Sequence, residues 1–203
     1  MSKLLLNKNA DGSDVTLDEG QIVRVYTANS VSQVEYIHDE DGYRRTVGVK
    51  ETLANISGMS SKLVGIADEN GTTVYINKDR VRDVYDESSK GRVLLEADGT
   101  NLAKIKSNDT AVDIKTAIFT KEGKTTYDTD SFTNSPDKVI LDASHGDVTG
   151  NFTAGVVFTV YGEGNDNDTI YSTVSSSFNG SETEITVNET PAVVGAGAGK
   201  VVL

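Results

Sequence analysis

A chain of 203 residues with no cysteine and a formal charge of −12 excludes disulfide scaffolds, thiolate metal sites and cysteine nucleophiles, and its acidity disfavours phosphate backbones and anionic lipid as partners. Tryptophan is absent and only 6% of the residues are aromatic, so modules of roughly 50–80 residues would sit near the lower limit for an independent core. No apolar window reaches the ~18 residues of a membrane span, and the start Met1-Ser2-Lys3-Leu4-Leu5-Leu6-Asn7-Lys8 is too short an apolar stretch for a secretory core.

The N-terminal part repeats itself. Val15, Leu17, Ile22, Val25 and Tyr26 lie over Val74, Ile76, Val81, Val84 and Tyr85 without a gap, an offset of 59 read directly from the sequence. Val34 lies over Val93, and the turn pair Asp41-Gly42 answers Asp98-Gly99. The apolar pattern of Val47, Val49, Leu53 and Ile56 answers Ile105, Val112 and Ile114. Alternation at Val15/Leu17 and at Val74/Ile76, with Asp-Gly between apolar runs, predicts strand, strand, hairpin and strand in each copy. A switch to helical spacing then predicts helices over Lys50–Met59 and Asp109–Phe119. Asp109 or Asn108 would cap the second, and Ala111, Val112, Ile114, Ala117 and Ile118 would form its apolar stripe. Residues 1–60 and 61–122 are therefore expected as two small α+β units. Each resembles small β-rich modules, built as strand, Asp-Gly turn, strand and terminal helix, that occur in many bacterial and phage proteins, DNA-binding and flagellar ones among them.

Residues 123–136, with Thr125, Thr126, Asp128, Thr129, Asp130, Thr133 and Asn134, read as a polar connector that could dock on a neighbour. Residues 137–203 form a Ser-, Thr-, Gly- and Asn-rich β pattern. Strands are predicted at Val156–Gly162, Tyr171–Ser175, Thr183–Val187 and Lys200–Leu203, enough for a small antiparallel barrel or sandwich. The fold class is thus α+β and predominantly β.

The C-terminal module carries Phe152, Gly155, Val157 and Gly162, then Asn165-Asp166, Tyr171 and Val174, then Ser177-Phe178 and Gly180, then Thr183, Ile185 and Val187, and finally Gly199 and Val201. In this order it resembles a β module of tailed-bacteriophage virion proteins, with a departure at Asn167-Asp168-Thr169-Ile170. The resemblance implies a virion part assembled in the host cytoplasm. That part would be a capsid auxiliary or decoration protein binding the major capsid protein, other virion proteins and its own copies, or else a neck or tail component.

No pattern of catalytic residues emerges. His38 and His145 lie in different modules and no Gly-x-Ser-x-Gly elbow accompanies them. His38 beside Asp39-Glu40-Asp41 could suggest a metal, but reads more plainly as a solvated hairpin tip. Gly162–Asp168 groups hard oxygen donors, with Asp166 and Asp168 as calcium candidates, yet lacks the glycine and bidentate glutamate of the calcium loop. Gly195–Lys200 fails as a phosphate loop, since Val194 and Val201 stand where glycine and a hydroxyl residue belong, and reads as a flexible approach to the last strand. The pairs Arg44-Arg45 and Arg80/Arg82 are expected to bridge carboxylates. Asn151 and Asn179 carry no weight as glycosylation sites without a secretory context. Tyr161, Tyr171 and Phe178 would be the stacking face of a carbohydrate-binding alternative. The expected function is non-enzymatic, without cofactor or resident metal, acting through extended surface and exposed strand edges.

Overall fold

The computed structural model describes residues 2–98, 101–162, 168–197 and 199–203. It is mostly β, with antiparallel sheets and two α-helices among the described residues. The chain divides into two compact units, Met1–Lys121 and Glu122–Leu203. The two stretches expected as separate small units thus share one body.

In the N-terminal unit a hairpin of β1 (Lys3–Asn7) and β2 (Asp14–Asp18) is followed by a meander of β3 (Ile22–Ala28), β4 (Val31–Ile37) and β5 (Arg44–Val49), and then α1 (Leu53–Gly58). A second hairpin, β6 (Leu63–Ala67) and β7 (Thr73–Asn77), leads to a meander of β8 (Val81–Glu87), β9 (Lys90–Asp98) and β10 (Asn101–Lys106), and then α2 (Ala111–Lys121). Alternation decides which side chains go inward. Leu4 and Leu6 are buried while Lys3, Leu5 and Asn7 are exposed, and Leu4 stands opposite Leu17. β7 joins the first meander to give the order β5-β4-β3-β7-β6, whereas β8, β9 and β10 form a sheet of their own.

The hairpin turns of the meanders use Asn29-Ser30 and Ser88-Ser89, all four at positive φ. A two-residue turn that follows the strand twist requires that conformation. α1 starts later than expected because Thr52 is its cap, its hydroxyl accepting from the Asn55 amide at 3.2 Å. α2 is capped by neither Asp109 nor Asn108. Thr110 Oγ1 accepts from the Asp113 amide, and Asp113 Oδ2 accepts from the Thr110 amide, a reciprocal box. The Asp109 carboxylate instead holds the Ala67 amide at 2.7 Å, tying the helix start to β6.

In the C-terminal unit the polar segment 123–136 is not a connector: it carries a nine-residue strand, β11 (Thr126–Asn134). Tyr127 and Phe132 point inward, and the buried Thr129 hydroxyl donates to the carbonyls of Gly197 and Gly199, so polar composition hides a core strand. The others are β12 (Asp137–Leu141), β13 (Val157–Gly162), β14 (Ile170–Phe178), β15 (Thr183–Val187), β16 (Gly195–Ala196) and β17 (Gly199–Val202). The pairings run β11-β12-β15-β14-β13-β17 and return to β11, a closed antiparallel ring. Its core is a chain of rings, Tyr127, Phe152, Phe158 and Tyr171, at centroid spacings of 5.4, 5.5 and 5.8 Å.

Candidate functional site: strand edges of the N-terminal unit

Closure of the C-terminal ring removes strand edges there, apart from the two-residue β16, so the edges expected to bind partners are found in the N-terminal unit instead. Strand pairing leaves β1, β2, β5, β6, β8 and β10 with one neighbour each, but the bridges Lys8 to Val49 and Asp68 to Ser107 tie the end of β1 to β5 and the end of β6 to β10, so among the described residues β2 and β8 are left with a strand contact on one side only.

How this fold accepts a further strand is visible at β3. Arg24 lies opposite Ile76 and Val25 opposite Tyr75, so β7 adds to the edge of β3. A β-bulge interrupts β3 between Ile22 and Arg24. A bulge re-aims the extra residue, and here Val23, fully buried, joins Val64, Ile66, Val74 and Ile76 in the core of the second half. Polar bonds fix the register: the buried Asn77 amide donates to the carbonyls of Glu19 (3.0 Å) and Ile22 (2.7 Å), and Arg80 donates to Gly20 (2.9 Å). Burial, and then the nearby Arg82, lower the pKa of Arg80.

β8 carries the same irregularity, between Val81 and Asp83. There the residue in the bulge is Arg82, whose side chain is 61% exposed and ion-paired with Glu96. On β2, Asp14 and Thr16 are exposed, and the Asp18 carboxylate accepts from the Gly20 amide at 2.9 Å.

A cleft of about 330 Å³ lies beside β3, lined by Arg24, Tyr26, Asp68, Glu69 and Lys104 among others. Its polar groups are already engaged. Arg24 is 2.9 Å from buried Glu35 and lies over the Tyr26 ring, and Asp68 accepts from the amides of Asn70 and Thr72.

The residues singled out from sequence do not converge. His38 Nδ1 is 3.5 Å from Asp41. In the C-terminal unit, His145 Nε2 accepts from the Asp128 amide. Among the described residues no three His, Asp or Glu side chains are grouped to hold a metal. Asp166 lies outside the described residues, and Asp168 is exposed. Arg44, Arg45 and Arg82 bridge carboxylates as expected, but Arg80 binds a carbonyl. Tyr161 and Tyr171 are core residues and offer no stacking face with Phe178. Gly195–Lys200 is not a free approach: β16 pairs with Ser131 and Phe132 of β11. Asn151 bonds the Tyr127 hydroxyl, and Asn179 closes the turn before β15. Sequence reasoning missed the edge of β8, although the offset of 59 sets Arg82 over Val23 and so displays the difference.

No family model matches the chain, and no curated protein matches it. A solved structure that does match is the LytTr DNA-binding domain of a methyl-accepting/DNA response regulator from Bacillus cereus. It is 15% identical, with a TM-score of 0.41, covering 58% of this chain and 97% of that one. The expectation of a capsid auxiliary or decoration protein, with its neck, tail and carbohydrate-binding alternatives, is overturned by this match and is withdrawn. At that TM-score the likeness transfers no activity to this chain.

Proposed function

We propose that the chain is a non-catalytic protein-binding module whose N-terminal unit is a duplicated fold that accepts an extended segment of a partner along β8. The observation that carries this reading is that the edge of β3 holds β7 while the matching edge of β8 holds no strand among the described residues. Such an edge offers main-chain donors and acceptors to any extended segment that reaches it.

Duplication is supported position by position. Leu4 opposite Leu17 answers Val64 opposite Ile76, Val25 opposite Val34 answers Val84 opposite Val93, and Val34 opposite Val47 answers Val93 opposite Ile105. The bulges at Val23 and Arg82 coincide, as do the turns Asn29-Ser30 and Ser88-Ser89. The bridges Lys8 to Val49 and Asp68 to Ser107 also correspond. Asp41, Asp79, Glu87 and Glu184 are all held below their ordinary values by hydrogen bonds and cations, so none of these four carboxyls is poised as a general acid. A carboxyl serving as general acid near neutrality needs the opposite shift.

A synthetic peptide of residues 71–79, the β7 segment, tests the edge when titrated into the isotope-labelled full chain. Amide shifts confined to β8 and its neighbours are expected, lost when Tyr75 and Ile76 of the peptide are replaced by proline. An unperturbed β8, or equal effects from both peptides, would refute the reading.

A further inference from the structure

The edges of β2 and β8 are complementary. If the N-terminal unit is a duplication, β8 stands where β3 stands and β2 stands where β7 stands, so the junction inside the chain prescribes a second junction between chains. Carrying over its register, Arg24 to Ile76 and Val25 to Tyr75, sets Asp83 opposite Leu17 and Val84 opposite Thr16 of another copy. Continuing that register by one residue, past the pairs of the internal junction, sets Arg82 against Asp18, the counterparts of Val23 and Asn77. We propose that β8 and β2 form a latent head-to-tail junction for a second copy of this chain, held shut by Arg82 and Asp18.

Both substitutions act against closure between copies, where the core of the next copy would enclose the Arg82 side chain, whereas a lone peptide strand brings no such core and leaves Arg82 in water. Val23 fills an apolar core, and a guanidinium in its place would have to leave water and its Glu96 partner to enter the site formed by Leu4, Leu6 and Leu17 of the next copy. Asn77 closes its junction by donating to two carbonyls. A carboxylate has no proton to donate at neutral pH and would face those carbonyls as one acceptor against others. An ion pair between Arg82 and Asp18 does not rescue the contact, because a pair taken out of water need not recover its desolvation cost. Repeat arrays end on polar faces for this reason, and edge strands carry charge for the same one.

The inference rests on the reading of β8 as a strand-accepting edge, and its test separates the two. Sedimentation velocity of the full chain is compared with that of the double variant Arg82→Val, Asp18→Asn from low to high micromolar concentration. The native chain is expected to keep one mass throughout. The double variant is expected to grow in weight-average mass with concentration, as an open chain or a closed ring according to the rotation that the junction imposes. A variant that stays monomeric with native circular dichroism and thermal unfolding would overturn the proposal. So would equal association of the native chain. The peptide titration uses native Arg82, so β8 binding the peptide while the double variant stays monomeric removes the latent junction alone.

Discussion

Single residues set the tightest tolerances in this fold, and Gly91 shows how narrow they are. It lies near the start of β9, where its amide donates to the Asp109 carbonyl at 2.8 Å and its own carbonyl accepts from Ser107. A Cβ at this position would stand 2.5 Å from Ile114 Cδ1 and 2.6 Å from the Asp109 carbonyl oxygen. The Ile114 methyl could turn aside, but the carbonyl belongs to the backbone that leads into α2. Gly91→Ala is expected to lower stability by about 1–3 kcal/mol, the range for overpacking, against a gain of at most ~1 kcal/mol from a stiffer unfolded chain. Denaturant unfolding of the purified variant measures the difference, and an unchanged midpoint would show that α2 can retreat. Sequence gave no sign of this requirement, because the contact joins residues that are distant along the chain. The turns at Asn29-Ser30 and Ser88-Ser89 escaped notice for a different reason: no glycine marks them, and only their shared positive φ reveals them.

Elements were legible to the extent that they alternate. Thr183–Val187 is a strand with the expected limits because Thr183, Ile185 and Val187 are buried between the outward Glu184 and Thr186. β11 was missed because its inward positions are Tyr127, Thr129 and Phe132, too sparse and too polar for an apolar pattern. Its place in a closed ring depends on pairings that local sequence does not encode. One of those pairings is reinforced by charge. Glu184 on β15 and Lys138 on β12 meet at 2.5 Å, both partly exposed. Lys138, then Asn179, hold the Glu184 carboxyl below the ordinary glutamate value of 4.5. A carboxylate whose pKa is depressed by folding adds stability above its unfolded value and loses it as the pH falls through the folded one. The C-terminal unit should therefore lose this contribution below about pH 4.5. Glu184→Gln should cost stability at neutral pH and show a shallower decline on acidification, measured by thermal unfolding across that range. Parallel pH profiles for the two proteins would show that the ion pair contributes nothing.

On the scale of the whole molecule, the two compact units differ in how far their cores depend on distant sequence. Residues 1–121 hold sixteen Lys and Arg against nineteen Asp and Glu, and residues 122–203 hold three against twelve. The second unit therefore carries most of the net charge. Self-repulsion of this kind favours solubility and lowers stability at low salt. Against it stands a core drawn wholly from the same residues, from Tyr127 to Val201, inside a ring with no open side. The fragment Glu122–Leu203 is expected to fold alone, giving a dispersed amide spectrum and one cooperative transition that moves upward as salt is added. The N-terminal unit should not divide in the same way, although its sequence repeats. Val23 of the first half lies in the core of the second, Leu63 and Tyr75 of the second half pack in the core of the first, and β3 pairs with β7 across the boundary. A chain cut between residues 60 and 61 should give two fragments that are unfolded apart and recover structure when mixed. Independent folding of either half would mean that the junction is an adhesion between finished domains. Failure of both halves, together with success of the C-terminal fragment, would mean that the duplicated halves complete one another's cores.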